Sequence, residues 1–289
     1  MPRINRSEGR NVHIFNAADP TSELGGLIRT RGVTNKNLYD MIEIFVVVTS
    51  EFTLRNDGDM TIAKDDAQLE PGNYFICAAD PFELSDEAPL FRAISLGTGS
   101  RTEAFRNEVR HRDRRCVVTG HEVGSAYRIH WRGFEVGHIF PIAYEAQWTA
   151  QNFSRWITIL PERGGSINSV QNGLLLRSDI HQLFDGYDFA INPDDNYKIV
   201  FFVEDTYNLA GTYLDRRLLD DPQRPVDQLF RWHFRQAVLV NMKGAGAPEF
   251  EHDFPPGADQ IGEILSGPQS AERMEYELFS RFASEFDGL

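Results

Sequence analysis

Three short motifs stand in a fixed order between residues 115 and 186, and they constrain the fold more than any other part of the chain. The first, Arg-Cys-Val-Val-Thr-Gly, occupies residues 115–120, and the second, Phe-Glu-Val-Gly-His-Ile-Phe-Pro, occupies residues 134–141. The third begins with Asn-Gly-Leu-Leu-Leu at residue 172 and closes with His-Gln-Leu-Phe-Asp-Gly at residues 181–186. Each is ordinary alone, because a strand histidine can be a core residue and Asn-Gly is a common turn. Their joint order and spacing indicate one site.

Two histidines and a carboxylate in these motifs have the chemistry that phosphodiester hydrolysis needs. This reaction requires a base to activate water and a cation to hold the phosphate. His138 ends an apolar strand, and histidine is the usual general base near neutral pH. Ser178 can cap a helix over residues 179–185, which would place His181 and Asp185 at i,i+4 on one helical face. An imidazole and a carboxylate on one face can bind a divalent cation.

The three motifs resemble the HNH endonuclease superfamily, and most of all its fungal branch, over about a third of the chain. The resemblance implies a ββα-metal finger in which His138 is the base and Asn172 pins the loop and orients that base. It also implies a catalytic site completed by His181 and Asp185, which would hold one divalent metal ion. Mg²⁺ or Mn²⁺ is expected first, and Zn²⁺ or Ni²⁺ after them.

Position 137 departs from the family pattern. Many HNH nucleases carry a metal-binding histidine or aspartate just before the base, whereas this chain has Gly137. Either His181 and Asp185 hold the cation with water, as hard cations allow, or Glu135 substitutes as a ligand. Residues 135 and 137 point to the same side of a strand, opposite to residue 138. An exposed strand glutamate is the alternative for Glu135.

The charge distribution supports a nucleic-acid partner only locally. The whole chain has a net charge of −14, which opposes phosphate binding. Residues 101–132, however, hold eight arginines against four acids, whereas residues 246–289 hold ten acids and two arginines. We expect phosphate contacts from Arg114, Arg115 and Arg177, with DNA as the substrate ahead of RNA. The alternative is a solvated arginine-bearing helix with i,i+4 ion pairs.

Turn signals and hydrophobic periodicity predict an α+β protein in three parts. Residues 1–95 form a β-rich module whose β-β-α-β-β order resembles a β-grasp, with strands over residues 11–16, 24–30, 45–48 and 73–77 and a helix over 35–44. Residues 101–219 form the HNH nuclease-like domain, which opens with a basic helix over residues 101–114. Residues 220–289 form a helical, acidic extension with helices over residues 226–242 and 271–286.

The sequence therefore predicts a metal-dependent endonuclease. The alternative function is an HNH-fold protein that has lost nuclease activity and serves as an interaction module or a repurposed enzyme. An intracellular location is expected, because two cysteines make no disulfide framework and the chain has no secretory signal or membrane-spanning run. The N-terminal module could bind a protein partner. The acidic tail from residue 246 onward could fold over the arginine-bearing helix and compete with nucleic acid, or could serve only as a soluble brace.

Overall fold

A computed structural model of the chain describes residues 6–90, 103–124 and 130–246. Within these ranges the chain forms an α+β structure, as predicted, with six helices and several small sheets. No helix in the described ranges is long and apolar enough to cross a membrane. The tail hypothesis and the predicted helix over residues 271–286 concern residues that lie outside these ranges.

Within residues 6–90, the N-terminal module contains seven strands and one helix, namely β1 (Val12–Asn16), β2 (Asp19–Leu27), α1 (Asn35–Phe45), β3 (Val46–Val47), β4 (Phe52–Asn56), β5 (Thr61–Ile62), β6 (Gly72–Ala78) and β7 (Glu83–Leu84). Five of the strands form one sheet with the order β2-β1-β6-β4-β5. The central pair β1–β6 is parallel, and the other pairs are antiparallel. A hairpin, a helix and a parallel central pair in this order make a β-grasp, so that resemblance is confirmed.

Helix α1 runs one residue further than the sequence predicts. Thr34 and Asn37 form a reciprocal capping box at its start. Leu38, Ile42 and Phe45 are fully buried at helical spacing, which favours helix over strand at Phe45. The predicted strand over residues 45–48 is therefore reduced to β3, which pairs with β7. Strand β2 likewise starts earlier than predicted, at Asp19.

The central part of the chain contains two antiparallel strands followed directly by a helix. Strand β8 (Phe134–His138) pairs with β9 (Gly173–Arg177), and α4 (Ser178–Asp185) follows β9 without a loop. Helix α2 (Glu103–Asp113) lies within the predicted span of residues 101–114, whose first two residues are outside the described ranges, and it packs against β9 and β8. The remaining elements are α3 (Glu145–Ala150), β10 (Phe189–Asn192), β11 (Lys198–Phe201) and α5 (Arg216–Leu219).

The last described helix, α6 (Asp227–Met242), is largely buried and does not lie on the outside of the structure. Its Phe230 packs in the core of the central part, whereas Val238 and Met242 pack in the core of the β-grasp. Ala190 and Val200 of the β10–β11 hairpin share that second core. The three-part division stays a prediction, but α6 ties the first two parts into one packed unit.

Candidate active site

The paired strands β8 and β9 form the base of the candidate site. His138 lies opposite Gly173, and Gly137 lies opposite Leu174. Leu174, Leu175 and Leu176 are all fully buried, which is why a continuous apolar run forms this strand. The side chains of β8 alternate between its two faces, so the residues of the candidate site are divided between those faces.

On one face of β8, the structure brings together Glu135, His181 and Asp185. The Nδ1 atom of His181 lies 2.7 Å from Oε2 of Glu135, and its Nε2 atom lies 3.4 Å from Oδ2 of Asp185. The imidazole is 7% exposed, whereas the two carboxylate side chains are 47% and 37% exposed. Each ring nitrogen therefore has its own carboxylate, and both carboxylates reach solvent.

Gly137 lies directly beneath the His181 ring. A Cβ atom at position 137 would stand 2.6 Å from Nε2 and 2.7 Å from Cδ2 of His181. Real Cβ atoms essentially never approach other atoms so closely, so the imidazole uses space that any side chain at position 137 would need. The departure from the family pattern at Gly137 is thus coupled to the position of His181.

On the opposite face of β8, His138 is enclosed. It is 3% exposed, and its ring stacks on Phe105 of α2 with a centroid separation of 4.1 Å. Its Nε2 atom lies 3.2 Å from Oδ1 of Asn168. The Nδ2 atom of Asn168 donates to the carbonyl oxygen of Gly164, so the Oδ1 atom is left to accept from His138. The structure therefore does not bring His138 onto the face that carries His181.

Asn172 fastens the chain that leaves β8. Its Oδ1 atom accepts from the Phe140 amide at 2.8 Å, and its Nδ2 atom donates to the carbonyl oxygens of Phe140 and Ile167. Its own carbonyl oxygen accepts from the Ile139 amide. The side chain is fully buried, so Asn172 fixes the two residues that follow His138. This geometry agrees with the loop-pinning role that the resemblance implies.

The start of α4 differs from the prediction. Arg177 occupies the N-cap position without a capping side chain, and Ser178 is the first helical residue. Asp179 instead accepts from the Ile180 amide at 3.0 Å. It also pairs with Arg177 at 2.6 Å, which favours this start because both partners flank the first turn. The proposed Ser178 cap is wrong, but His181 and Asp185 still share one face of the helix.

Two of the three arginines proposed to contact phosphate make ion pairs within the chain. Arg177 pairs with Asp179, and Arg115 lies 3.3 Å from Glu122 and 3.8 Å from Asp215. Arg114 is exposed, and its Nε atom donates to the His111 carbonyl oxygen.

Two of the arginines on helix α2 are packed against the protein, although the sequence suggests a solvated basic helix. The guanidinium of Arg112 is buried and donates to Asp113 and to the carbonyl oxygens of Val170, Gly173 and Gln223. Burial raises the pKa of Asp113 despite its contact with Arg112. Arg110 lies over the Trp131 ring at 4.5 Å, and burial lowers its pKa. These contacts attach α2 to the strands it covers.

The donor set on the open face fits a divalent cation that keeps most of its water. The described residues contain no group of three or more histidine, cysteine, aspartate or glutamate side chains arranged to hold a metal. His181 Nε2 is buried and makes no hydrogen bond in the described ranges. Two ligands about 2.1 Å from a cation, roughly at right angles or slightly wider, stand about 3.0–3.4 Å apart. The 3.4 Å separation of Nε2 from Asp185 matches that range.

The strand pair β8–β9 and helix α4, which carry most of these side chains, lie within an α+β structure, and a comparison with known families covers this same region. Residues 116–192 match a family model described as HNH endonuclease. The chain therefore contains a domain of the HNH endonuclease superfamily. Residues 9–83 match a domain of unknown function, DUF8573, which spans the β-grasp. Neither a curated protein nor a solved structure matches the chain significantly.

Two residues of the site were not predicted from the sequence. Asn168 contacts His138 across 30 positions, and Phe105 stacks on it from a helix that precedes all three motifs. The only sequence signal for Asn168 is a second asparagine four residues before Asn172. Phe105 and Val109 stand at i,i+4 on the buried side of α2, but this spacing does not specify His138 as the partner.

Proposed function

We propose that the chain is a metal-dependent endonuclease that hydrolyses phosphodiester bonds in nucleic acid, with DNA as the first candidate substrate. The proposal rests on the placement of two histidines about strand β8. His181 lies between Glu135 and Asp185 on one face. His138 ends the strand, and Asn172 holds the residues that follow it. It lies within the segment that matches the HNH endonuclease family. Buried imidazoles with carboxylate partners are typical of catalytic and metal sites.

His181 and Asp185 would hold the cation, with water completing its coordination shell. Two protein ligands, one of them a carboxylate, suit Mg²⁺ or Mn²⁺ better than Zn²⁺, which usually takes three or four protein ligands. When bound, such an ion stabilises the charge that develops on the phosphate oxygens. Asp185 is 37% exposed, so its carboxylate can meet an ion that arrives from solvent.

His138 would act as the base through a defined atom of its ring. Because Asn168 Oδ1 can only accept, the neutral imidazole carries its proton on Nε2 and keeps its lone pair on Nδ1. Asn172 maintains this orientation indirectly, since it fixes the backbone at Phe140. Nε2 is therefore not the ring atom that would take the proton of the attacking water.

Nucleic acid would reach the site along the surface that carries Arg114. This side chain is exposed, whereas Arg115 and Arg177 must first exchange their intramolecular carboxylate partners for phosphate. Exposed ion pairs of this kind are worth about 0–1 kcal/mol, so phosphate can compete for the guanidinium groups. Phosphate contacts by all three arginines remain part of the proposal.

Plasmid nicking in the presence of Mn²⁺ tests this function. The wild-type chain should nick supercoiled DNA, and EDTA should abolish nicking. His138→Ala should slow the reaction by about 10²–10⁴-fold, which is the usual contribution of a positioned base. His13→Ala, which removes a histidine on the distant strand β1, should leave the rate unchanged. Wild-type rates in His138→Ala would exclude this base.

A second function is favoured by the enclosure of His138. With Phe105 stacked over its ring and 3% of the residue exposed, His138 can equally be a core residue of an HNH fold that no longer cleaves nucleic acid. Such a protein would bind a partner or catalyse a different reaction. Failure of the wild-type chain to cleave DNA and RNA with Mg²⁺, Mn²⁺, Ni²⁺ or Zn²⁺ would favour this second function.

A further inference from the structure

We propose that Glu135 is a positioning residue for the metal site and not a ligand of it, and that Gly137 supplies the space in which the His181 imidazole sits. This inference rests on the proposed metal site but concerns how this particular chain builds it. The family pattern places a metal ligand at position 137 of this strand. In this chain, Glu135 outside the coordination shell and Gly137 beneath the ring would replace that ligand. The ion would then be held from helix α4 alone.

The contact between Glu135 and His181 fixes which ring nitrogen faces the ion. A carboxylate only accepts hydrogen bonds, so the neutral imidazole must donate from Nδ1 to Glu135 Oε2 across their 2.7 Å separation. The proton on Nδ1 leaves the lone pair on Nε2. A metal-binding histidine whose other nitrogen donates to a carboxylate is a recurrent arrangement, and the carboxylate sets the ring's tautomer and orientation.

The second ring nitrogen points at the place where an ion fits. Nε2 is buried without a hydrogen bond in the described ranges, and Asp185 Oδ2 stands 3.4 Å away. A buried acceptor without a donor is costly, and a cation shared with Asp185 would satisfy it. Glu135 contacts the other nitrogen, so its Oε2 atom cannot face the same ion without first giving up its hydrogen bond to Nδ1.

Gly137 leaves the space that the Nε2 edge of the ring occupies. The Cβ of any other residue there would lie 2.6 Å from Nε2 and 2.7 Å from Cδ2, but 3.7 Å from Cε1. The clash is therefore confined to the edge that carries the lone pair. A side chain at position 137 would push the imidazole away from both carboxylates, so this chain cannot combine the usual strand ligand with the present position of His181.

Titration calorimetry with Mn²⁺ separates a positioning glutamate from a ligating one. Glu135→Ala should weaken Mn²⁺ binding by about 10–100-fold, the usual cost of removing an outer-shell partner. Glu135→Gln keeps an oxygen that accepts from Nδ1, so its Mn²⁺ affinity should stay within about threefold of wild type, a smaller change than the loss of an outer-shell partner causes. Glu162→Gln, at an exposed site, is the control. Equal losses in Glu135→Gln and Glu135→Ala, or no loss in Glu135→Ala, would overturn the assignment.

Gly137→Ala tests the second half of the proposal in the same assay. It should weaken Mn²⁺ binding at least as much as Glu135→Ala does, with circular dichroism and thermal unfolding showing that the fold persists. Unchanged or tighter binding by a folded Gly137→Ala would contradict the role given to Gly137. If this variant does not fold, the double variant Gly137→Ala/His181→Ala, which removes the ring that the new Cβ would meet, should fold again. A double variant that stays unfolded would contradict the role given to Gly137.

Nitrogen-15 NMR of the metal-free chain tests the tautomer without any reaction or ion. At a pH where the ring is neutral, His181 should carry its proton on Nδ1 in the wild type and lose that preference in Glu135→Ala. An Nε2-protonated His181 in the wild type would overturn the proposal even if the chain cleaves DNA. Conversely, a chain that binds no Mn²⁺ but shows the Nδ1 tautomer would refute the proposed metal site and leave the Glu135 contact intact.

Discussion

The two faces of strand β8 are built in opposite ways. On one face, His138 is closed in by Phe105 and Asn168 and is 3% exposed. On the other face, His181 lies between two carboxylates that are 47% and 37% exposed. The closed face is part of the hydrophobic core, whereas the open face is a polar cluster at the surface. Substitutions on the closed face should therefore reduce stability, and those on the open face should change ion binding.

Phe105→Ala should produce the largest effect on the closed face. Phe105 is fully buried and contacts His138, so its loss would leave a cavity and lower the free energy of unfolding by about 3–5 kcal/mol. Urea denaturation measures this change. Phe75→Ala, at a half-buried ring stacked on Phe15, is the matched control and should cost less, because part of that ring is already in contact with solvent. Equal losses in the free energy of unfolding of Phe105→Ala and Phe75→Ala would contradict the contrast between a core position and a surface position.

Asn172→Ala should have the next largest effect. The side chain makes three buried hydrogen bonds to main-chain atoms, and its loss would leave their partners unsatisfied at a cost of about 2–3 kcal/mol. Nicking should fall as well, because the residues after His138 lose their anchor. Asn107→Ala, at an exposed position on α2, should stay within about 0.5 kcal/mol of wild type. A stable Asn172→Ala would show that other contacts hold this loop.

Gly173→Ala is the counterpart of Gly137→Ala on the closed face. A Cβ at position 173 would lie 2.5 Å from Val109 Cγ2 and 2.7 Å from Phe105 Cε2, so overpacking against α2 should cost about 1–3 kcal/mol. Mn²⁺ affinity should not change, because α4 is untouched. Differential scanning calorimetry and Mn²⁺ titration of both alanine variants check the contrast. A Gly173→Ala that loses Mn²⁺ affinity but not stability would reverse the roles of the two faces.

Arg114→Ala should have the smallest effect. If Arg114 contacts one phosphate, its removal should lower DNA affinity and reduce the salt dependence of binding by about 0.9 in the log–log slope. Arg177→Ala should lower affinity less, because Asp179 already engages that guanidinium. Fluorescence anisotropy of labelled DNA over a range of salt concentrations measures both. A larger loss in Arg177→Ala would mean that its ion pair opens on binding.

The motif segments predict the elements of the site well because their signals are local. The apolar run after Asn172 is expected to be a strand through the resemblance to the ββα finger, since a short apolar run alone does not separate strand from helix. The i,i+4 spacing places His181 beside Asp185 wherever the helix packs. The alternation of strand side chains also predicts that Glu135 and Gly137 face away from His138. The β-grasp is similarly visible, since its order follows from turn signals and one amphipathic helix.

Contacts between distant segments could not be predicted in the same way. Phe105 and Asn168 reach His138 across 33 and 30 positions, and nothing in their local sequence specifies the partner. Glu135 was assigned to the correct face, but whether it contacts a cation or Nδ1 depends on side-chain rotamers. Arg112 shows the same limit, because its burial comes from main-chain carbonyl oxygens that only the fold brings together.

Mn²⁺ titration calorimetry on His138→Ala and His181→Ala tests the separation of the two faces most directly. His138→Ala should bind Mn²⁺ with an affinity close to that of the wild-type chain, because His138 lies on the closed face. His181→Ala should lose detectable binding, because Asp185 alone would remain at the site. Equal binding by wild type and His181→Ala, or loss of binding in a folded His138→Ala, would contradict this account.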